Sequence, residues 1–249
     1  MNIRNIIKRA LLWQGFLFHN NRNSKILFYH DVFRTENYKA KDADVCMGTP
    51  LSLFKRHIDV IRNEGFRIVP EITNTEGEVC IMFDDGFRGI YECRDFFYQN
   101  DIKPTVFLAV DYIGTEGMLT KEEILELQAN GFNFECHSWS HHVLTRWNDE
   151  ELKKELGESR TFLSRLLGKD VVEICLPVGC YNEHLLEQIK EYGYEKVYSS
   201  IPGDYSEKTR GGMLRRNLCQ FATPTEVKLI LYGGNETLKN RYESMHYVK

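Results

Sequence analysis

Long apolar runs are missing from this sequence: no stretch of the 249 residues is long enough to cross a bilayer as a helix. No pair of cysteines has the C-x-x-C spacing of a zinc ribbon or a dithiol redox motif. An excess of one charge sign is also lacking. The net charge is −4 with the signs interspersed, so nothing points to nucleic acid as the main partner. There is no repeat of fixed period and no obvious linker, and the chain therefore reads as one large domain with a substantial core. The seven cysteines are odd in number, and Cys80, Cys136, Cys175 and Cys219 lie in or beside apolar runs. That pattern suits reduced core residues of a cytosolic protein better than a disulfide framework.

The N-terminus places Arg4, Lys8 and Arg9 before Leu11-Leu12-Trp13-Gln14-Gly15-Phe16-Leu17-Phe18. A signal peptide would need a longer apolar part and a small-residue cleavage site, whereas His19 and Asn20 follow here. Two readings remain for residues 1–18: a basic, aromatic amphipathic segment on the cytoplasmic face of a membrane, or a helix packing its apolar side on the domain. Residues 1–24 are accordingly set apart as an amphipathic segment from a domain over 25–249.

What is present centres on Cys80-Ile81-Met82-Phe83-Asp84-Asp85-Gly86-Phe87, an apolar run ending in two carboxylates and a glycine. The run reads as a buried strand, with the acids at its C-terminal end, where α/β proteins keep their chemistry. Neighbouring side chains on a strand face opposite ways, so both acids reach one site only if the backbone turns, which Gly86 permits. A second cluster, Cys136-His137-Ser138-Trp139-Ser140-His141-His142, follows another apolar segment. Histidines four apart on a helical turn have Cβ atoms roughly 5–6 Å apart, close enough to share one metal ion. Two imidazoles and a carboxylate leave a position open, as in catalytic zinc sites, and an adjacent carboxylate can act as general base.

Strand signals at 26–29, 66–69, 80–83, 105–110, 132–136, 171–176, 194–199 and 213–219 alternate with helix signals at 51–63, 89–99, 120–130, 148–167 and 182–192. A last helix opens near Thr223 and Pro224, and residues 32–50 are expected to form a long loop. Alternation with short connections predicts an α/β fold with a parallel sheet, barrel-like or doubly wound. The first strand delivers His30-Asp31 to its end.

With both motifs in view, the chain resembles the polysaccharide deacetylases, the chitooligosaccharide-deacetylase-like enzymes of carbohydrate esterase family 4. Met82-Phe83-Asp84-Asp85-Gly86 resembles their first motif, and His137-Ser138-Trp139-Ser140-His141 with Leu144 resembles their second. The resemblance spans roughly residues 25–220 and implies a single distorted (β/α) barrel. It implies that Asp85, His137 and His141 bind a divalent metal, zinc first and cobalt, nickel or iron as alternatives, with Asp84 as the base. Ser138 is then expected to support the metal site by hydrogen bonding. Pro177-Val178-Gly179 resembles the third motif; the Val178 nitrogen is expected to hold the oxyanion, and Tyr181 to line the pocket.

Two departures bear on the site. Leu176 stands where many members carry an arginine that orients the base, and Arg216 is expected to replace it in preference to Arg215. The late Leu-His motif is also absent, and His246 is too close to the terminus to stand in for it. Phe28-Tyr29-His30-Asp31-Val32 is similar to the circularly permuted poly-N-acetylglucosamine deacetylase branch, which makes His30 the expected acid, with Asp31 setting its tautomer. The implied activity is metal-dependent removal of N-acetyl groups from an N-acetylated sugar or polysaccharide. Alternatives are deformylation or other amide cleavage on a lipid-linked amino sugar, or a carbohydrate-binding homologue without catalysis. The expected setting is cytoplasmic, on a glycan or sugar precursor at the inner membrane face.

Overall fold

The computed structural model describes residues 3–34 and 47–249, with the side chains of residues 3–6 and 8 left aside. Most of the loop expected over 32–50 thus lies outside the described residues. In chain order the elements are α1 (Ile3–His19), β1 (Lys25–Tyr29), β2 (Asp31–Phe33), β3 (Gly48–Pro50), α2 (Leu51–Asn63), β4 (Arg67–Ile68), β5 (Glu78–Phe83), α3 (Gly89–Glu92), α4 (Arg94–Gln99) and β6 (Thr105–Leu108). There follow α5 (Lys121–Ala129), β7 (Asn133–Cys136), α6 (Asp149–Leu152), α7 (Ser159–Leu167), β8 (Glu173–Cys175), α8 (Glu183–Glu191), β9 (Lys196–Tyr198), β10 (Asn217–Leu218), α9 (Pro224–Leu231) and α10 (Lys239–His246).

One parallel sheet runs β10-β1-β5-β6-β7-β8-β9, with β4 also paired to β5. It closes on itself: the amide of Leu214 donates to Val197 O at 2.8 Å, and that of Ser199 to Leu214 O at 2.9 Å, while the same segment continues into β10 beside β1. The result is the (β/α) barrel that the alternation implied.

Register and pleat together place the site. Tyr29 pairs with Phe83, Leu108 with Cys136, and Cys175 with Tyr198, so His30, Asp84, His137 and Leu176 follow at one common end. Ile26, Phe28, Cys80, Met82, Phe107, Cys175, Tyr198 and Leu214 fill the barrel interior. Leu27, Tyr29, Val79, Ile81, Phe83, Phe134, Cys136 and Ile174 face the helices instead. With a period of two, His30, Asp84, His137 and Arg216 continue the inward rows.

Helices start where caps dictate. Thr120, Asn148 and Thr223 each form a capping box, with Glu123, Glu151 and Glu226 answering back. The helix expected over 89–99 breaks at Cys93, and the long one over 148–167 carries a π-helical segment, Lys153–Glu158. Not foreseen were the small parallel pair β2–β3 and the C-terminal helix α10, which shows little apolar periodicity.

Candidate active site

The turn after β5 is made by Asp85 itself, at φ 71°, followed by Gly86 at φ 86°. That positive φ favours glycine, and a Cβ on Gly86 would lie 2.7 Å from Leu108 Cδ2, which would have to shift to admit it. This left-handed turn swings Asp85 back to the side where Asp84 already points. Histidines 137 and 141 meet it by a different route from the helical turn expected. His137 ends β7, and an irregular loop with Ser138 at φ 68° and His141 at φ 58° brings His141 round. With Val178 at φ 61°, four of the six described non-glycine residues of positive φ lie in the expected motifs. Such conformations persist only where surrounding structure holds them.

The loop's supports are visible. Glu155, in the π-helical segment, accepts from the amides of Trp139 and Ser140 at 3.0 Å each and from the Ser140 hydroxyl at 2.5 Å. Ser138 Oγ accepts from the His141 amide at 3.1 Å, and the His137 amide donates to Leu108 O at 2.8 Å. Ser138 thus braces the histidine loop. Glu155 escaped sequence reasoning because it reads as one more acid on an outer helix; the insertion that turns it inward shows only in the backbone.

Nε2 of His137 and of His141 lie 3.2 and 3.0 Å from Asp85 Oδ1, a buried atom with no hydrogen-bond partner. Close approach without hydrogen-bond alignment suits lone pairs converging on a shared cation. His137 Nδ1 donates to Cys175 O at 2.8 Å, which leaves the Nε2 lone pair free for that cation. One oxygen and two imidazole nitrogens therefore fit a divalent ion. Asp84, His137 and Cys175 also converge. That second group is spoken for by another cation: Arg216 Nη1 and Nη2 donate to the two Asp84 oxygens at 2.7 and 2.8 Å, and Nη2 lies 2.8 Å from Cys175 Sγ.

Arg216 is fully buried, its Nε donating to Ser199 O at 3.0 Å and its guanidinium 4.2 Å from the Phe28 ring centroid. Burial by itself would push the Asp84 carboxyl up. The Arg216 guanidinium, helped by His137 and His30, outweighs it and holds Asp84 below the ordinary carboxylate range. Asp84 is therefore ionised at neutral pH. Arg215, one residue away, faces outward to Glu243 at 3.2 Å.

Two expectations need correction. Asp31 does not touch His30: neighbours on extended chain face opposite ways, and Asp31 accepts from the Val32 amide at 2.8 Å beside Gly89. Burial there pushes its carboxyl up to about 7. The partner of His30 is Gln220, whose Oε1 accepts from Nδ1 at 2.5 Å. Gln220 stands just past the last strand signal and only the fold brings it over. Tyr181 lies against the C-terminal segment rather than the site, its hydroxyl 3.4 Å from Glu243 and its amide donating to His246 O at 2.9 Å. Pro177 is buried and Val178 is 58% exposed in the tight turn after β8. Of the side residues, Trp139 packs on Phe162, and His142 is exposed beside Ser140 Oγ at 2.8 Å.

Residues 71–197, half of the chain and both acid and histidine motifs, match the family model described as polysaccharide deacetylase. The chain belongs to the polysaccharide deacetylase family. Among curated relatives, it is 28% identical over 127 residues to an uncharacterised 30.6 kDa protein of Geobacillus stearothermophilus, covering 50% of this chain and 46% of that one. It is 23% identical over 129 residues to the peptidoglycan-N-acetylmuramic acid deacetylase PdaA of Bacillus subtilis, covering 51% and 48%. The matched segment is thus about half the length of each relative. The fold is shared with the Streptococcus pyogenes deacetylase PplD, at a TM-score of 0.72 and 19% identity over 86% of this chain and 99% of that one.

Proposed function

We propose that this polysaccharide deacetylase family member is a metal-dependent hydrolase that removes N-acetyl groups from an N-acetylated sugar or polysaccharide, releasing acetate. The observation that carries the reading is the Asp84 carboxylate, gripped at both oxygens by Arg216 and next in sequence to Asp85, which converges with His137 and His141. A binding module has no need of a buried, ionised base beside an open three-donor set.

The chemistry a divalent ion held by Asp85, His137 and His141 supplies is Lewis acidity toward a water and an acyl oxygen. Zinc is our first choice for that ion; cobalt, nickel and iron accept the same donors. Asp84, kept ionised and oriented by Arg216, takes the proton of the attacking water. The Val178 amide, in its left-handed turn, serves the oxygen on which negative charge develops. As the C–N bond breaks, His30 gives a proton to the leaving amine, with Gln220 fixing the ring through Nδ1. The substrate we favour is a glycan or sugar precursor, lipid- or nucleotide-linked, met in the cytoplasm at the inner membrane face.

Acetate release from N-acetylglucosamine oligomers by metal-stripped protein, with and without zinc or cobalt, tests the reading. Activity should need the ion and fall by about 10²–10⁴-fold in Asp84→Asn. Acetate release that survives both chelation and that substitution would overturn it.

A further inference from the structure

Helix α1 is apolar on two sides. Its inner side is locked: Leu12 and Gly15 are buried, a Cβ on Gly15 would lie 2.1 Å from Gly234 O, and Phe16 meets Tyr232 edge to face at 5.9 Å. With that side fixed, Ile7, Trp13, Leu17 and Phe18 remain outside, 52%, 49%, 73% and 77% exposed. Ile7, Ala10, Trp13 and Leu17 follow the helical period, so this is a stripe rather than scattered residues. Large apolar side chains held outward together mark an interaction site.

The stripe continues across the surface. Trp13 shares a groove of about 480 Å³ with Arg9, Leu53, Arg56, Phe221 and Pro224. Phe221 is 57% exposed and follows Gln220, the residue bonded to His30. Two arginines, Arg9 and Arg56, border these apolar groups in the groove. No acid occurs in the sequence before Asp31. The acid that does line the groove, Glu226, is buried and lies 3.5 Å from Arg9.

We infer that the outer face of α1, with Phe221 and Arg56, docks on an anionic lipid bilayer. Aromatic and leucine side chains enter the headgroup boundary while arginine meets lipid phosphates, the pattern of a helix lying in the interface plane. No described helix is long and apolar enough to cross the membrane, so the contact is peripheral. Docking sets the rim that carries His30 next to the bilayer. That corollary, access to a lipid-linked glycan, rests on the proposed deacetylation; the docking itself does not.

Vesicle sedimentation of the full chain tests it without any catalytic readout. Vesicles of phosphatidylcholine with about 30% phosphatidylglycerol should retain the protein at about 0.05 M salt, and neutral vesicles should retain little. Leu17→Ser with Phe18→Ser should weaken retention at least about tenfold, since two exposed apolar side chains are lost from the contact. Its melting temperature and acetate release should match the parent, because neither side chain is buried. Arg56→Glu should weaken retention at low salt and little at high salt. Absence of binding, equal binding to neutral vesicles, or undiminished binding by the double variant overturns the inference. So does a concentration-dependent dimer that the double variant abolishes while vesicles bind nothing, since the face would then belong to a second copy of the chain.

Discussion

The two ends of this barrel both bury charge, and they bury it differently. At the N-terminal end of the strands, Glu135 pairs with Lys169 and accepts from the amides of Val172 and Glu173 at 3.2 and 3.0 Å. Lys196 reaches Glu71 at 2.7 Å and Glu173 at 2.8 Å, and the Tyr198 hydroxyl donates to Glu173 at 2.9 Å. Every one of these charged groups has its partner inside the protein, although a cavity of about 400 Å³ opens there. At the C-terminal end, Asp85 Oδ1 has no hydrogen bond, and Asp85, Ser138, His141 and Val178 hold left-handed backbone. A closed network stabilises; an open valence beside a strained backbone is poised to bind something.

That contrast can be broken by experiment, and the largest effect should come from emptying the open end. Chelation, or Asp85→Ala, should reduce acetate release to background. Chelation should also lower stability, by about 2.7 kcal/mol if the ion had been present at 100 times its Kd. Metal analysis with thermal melts reads both, and unchanged melts and rates would remove the metal centre.

Asp84→Asn comes next, with an expected loss of about 10²–10⁴-fold in kcat while metal content is retained. A variant that loses its metal instead would show Asp84 to be a ligand rather than a base.

Arg216→Met leaves Asp84 buried without its cation and should cost about 3–5 kcal/mol. The pH dependence carries a sign. With Arg216 present, the folded carboxyl lies below its unfolded value, so its contribution is present above pH about 4 and is lost as pH falls through the folded value. Without Arg216, burial lifts the folded value, and stability is lost as pH rises. Urea melts of parent and variant should therefore diverge between pH about 4 and 7; parallel curves would mean that the guanidinium does not govern Asp84.

The smallest effect belongs to the closed end. Lys169→Met should cost about 1–2 kcal/mol, because Glu135 keeps its two amide donors, and should leave kcat unchanged. A fall in turnover would mean the two ends are coupled.

Much of this was legible before folding because period and punctuation are local properties. The inward rows ending in His30, Asp84, His137 and Arg216 follow from strand alternation, and the helix starts from their capping residues. The acid and histidine motifs carried the family directly. What the chain could not disclose are pairings across long separations and backbone signs at single residues. Gln220 meets His30 from 190 positions away, and Glu155 turns inward only because a π-helical segment shifts its register. Asp31, adjacent to His30, faces away from it, and Tyr181 was claimed by a C-terminal helix with no apolar period to announce it. Residue types and their order determined which groups are available for the chemistry. Which atom faces which was decided by barrel closure and by four left-handed residues, because those depend on contacts that exist only once the sheet has curled.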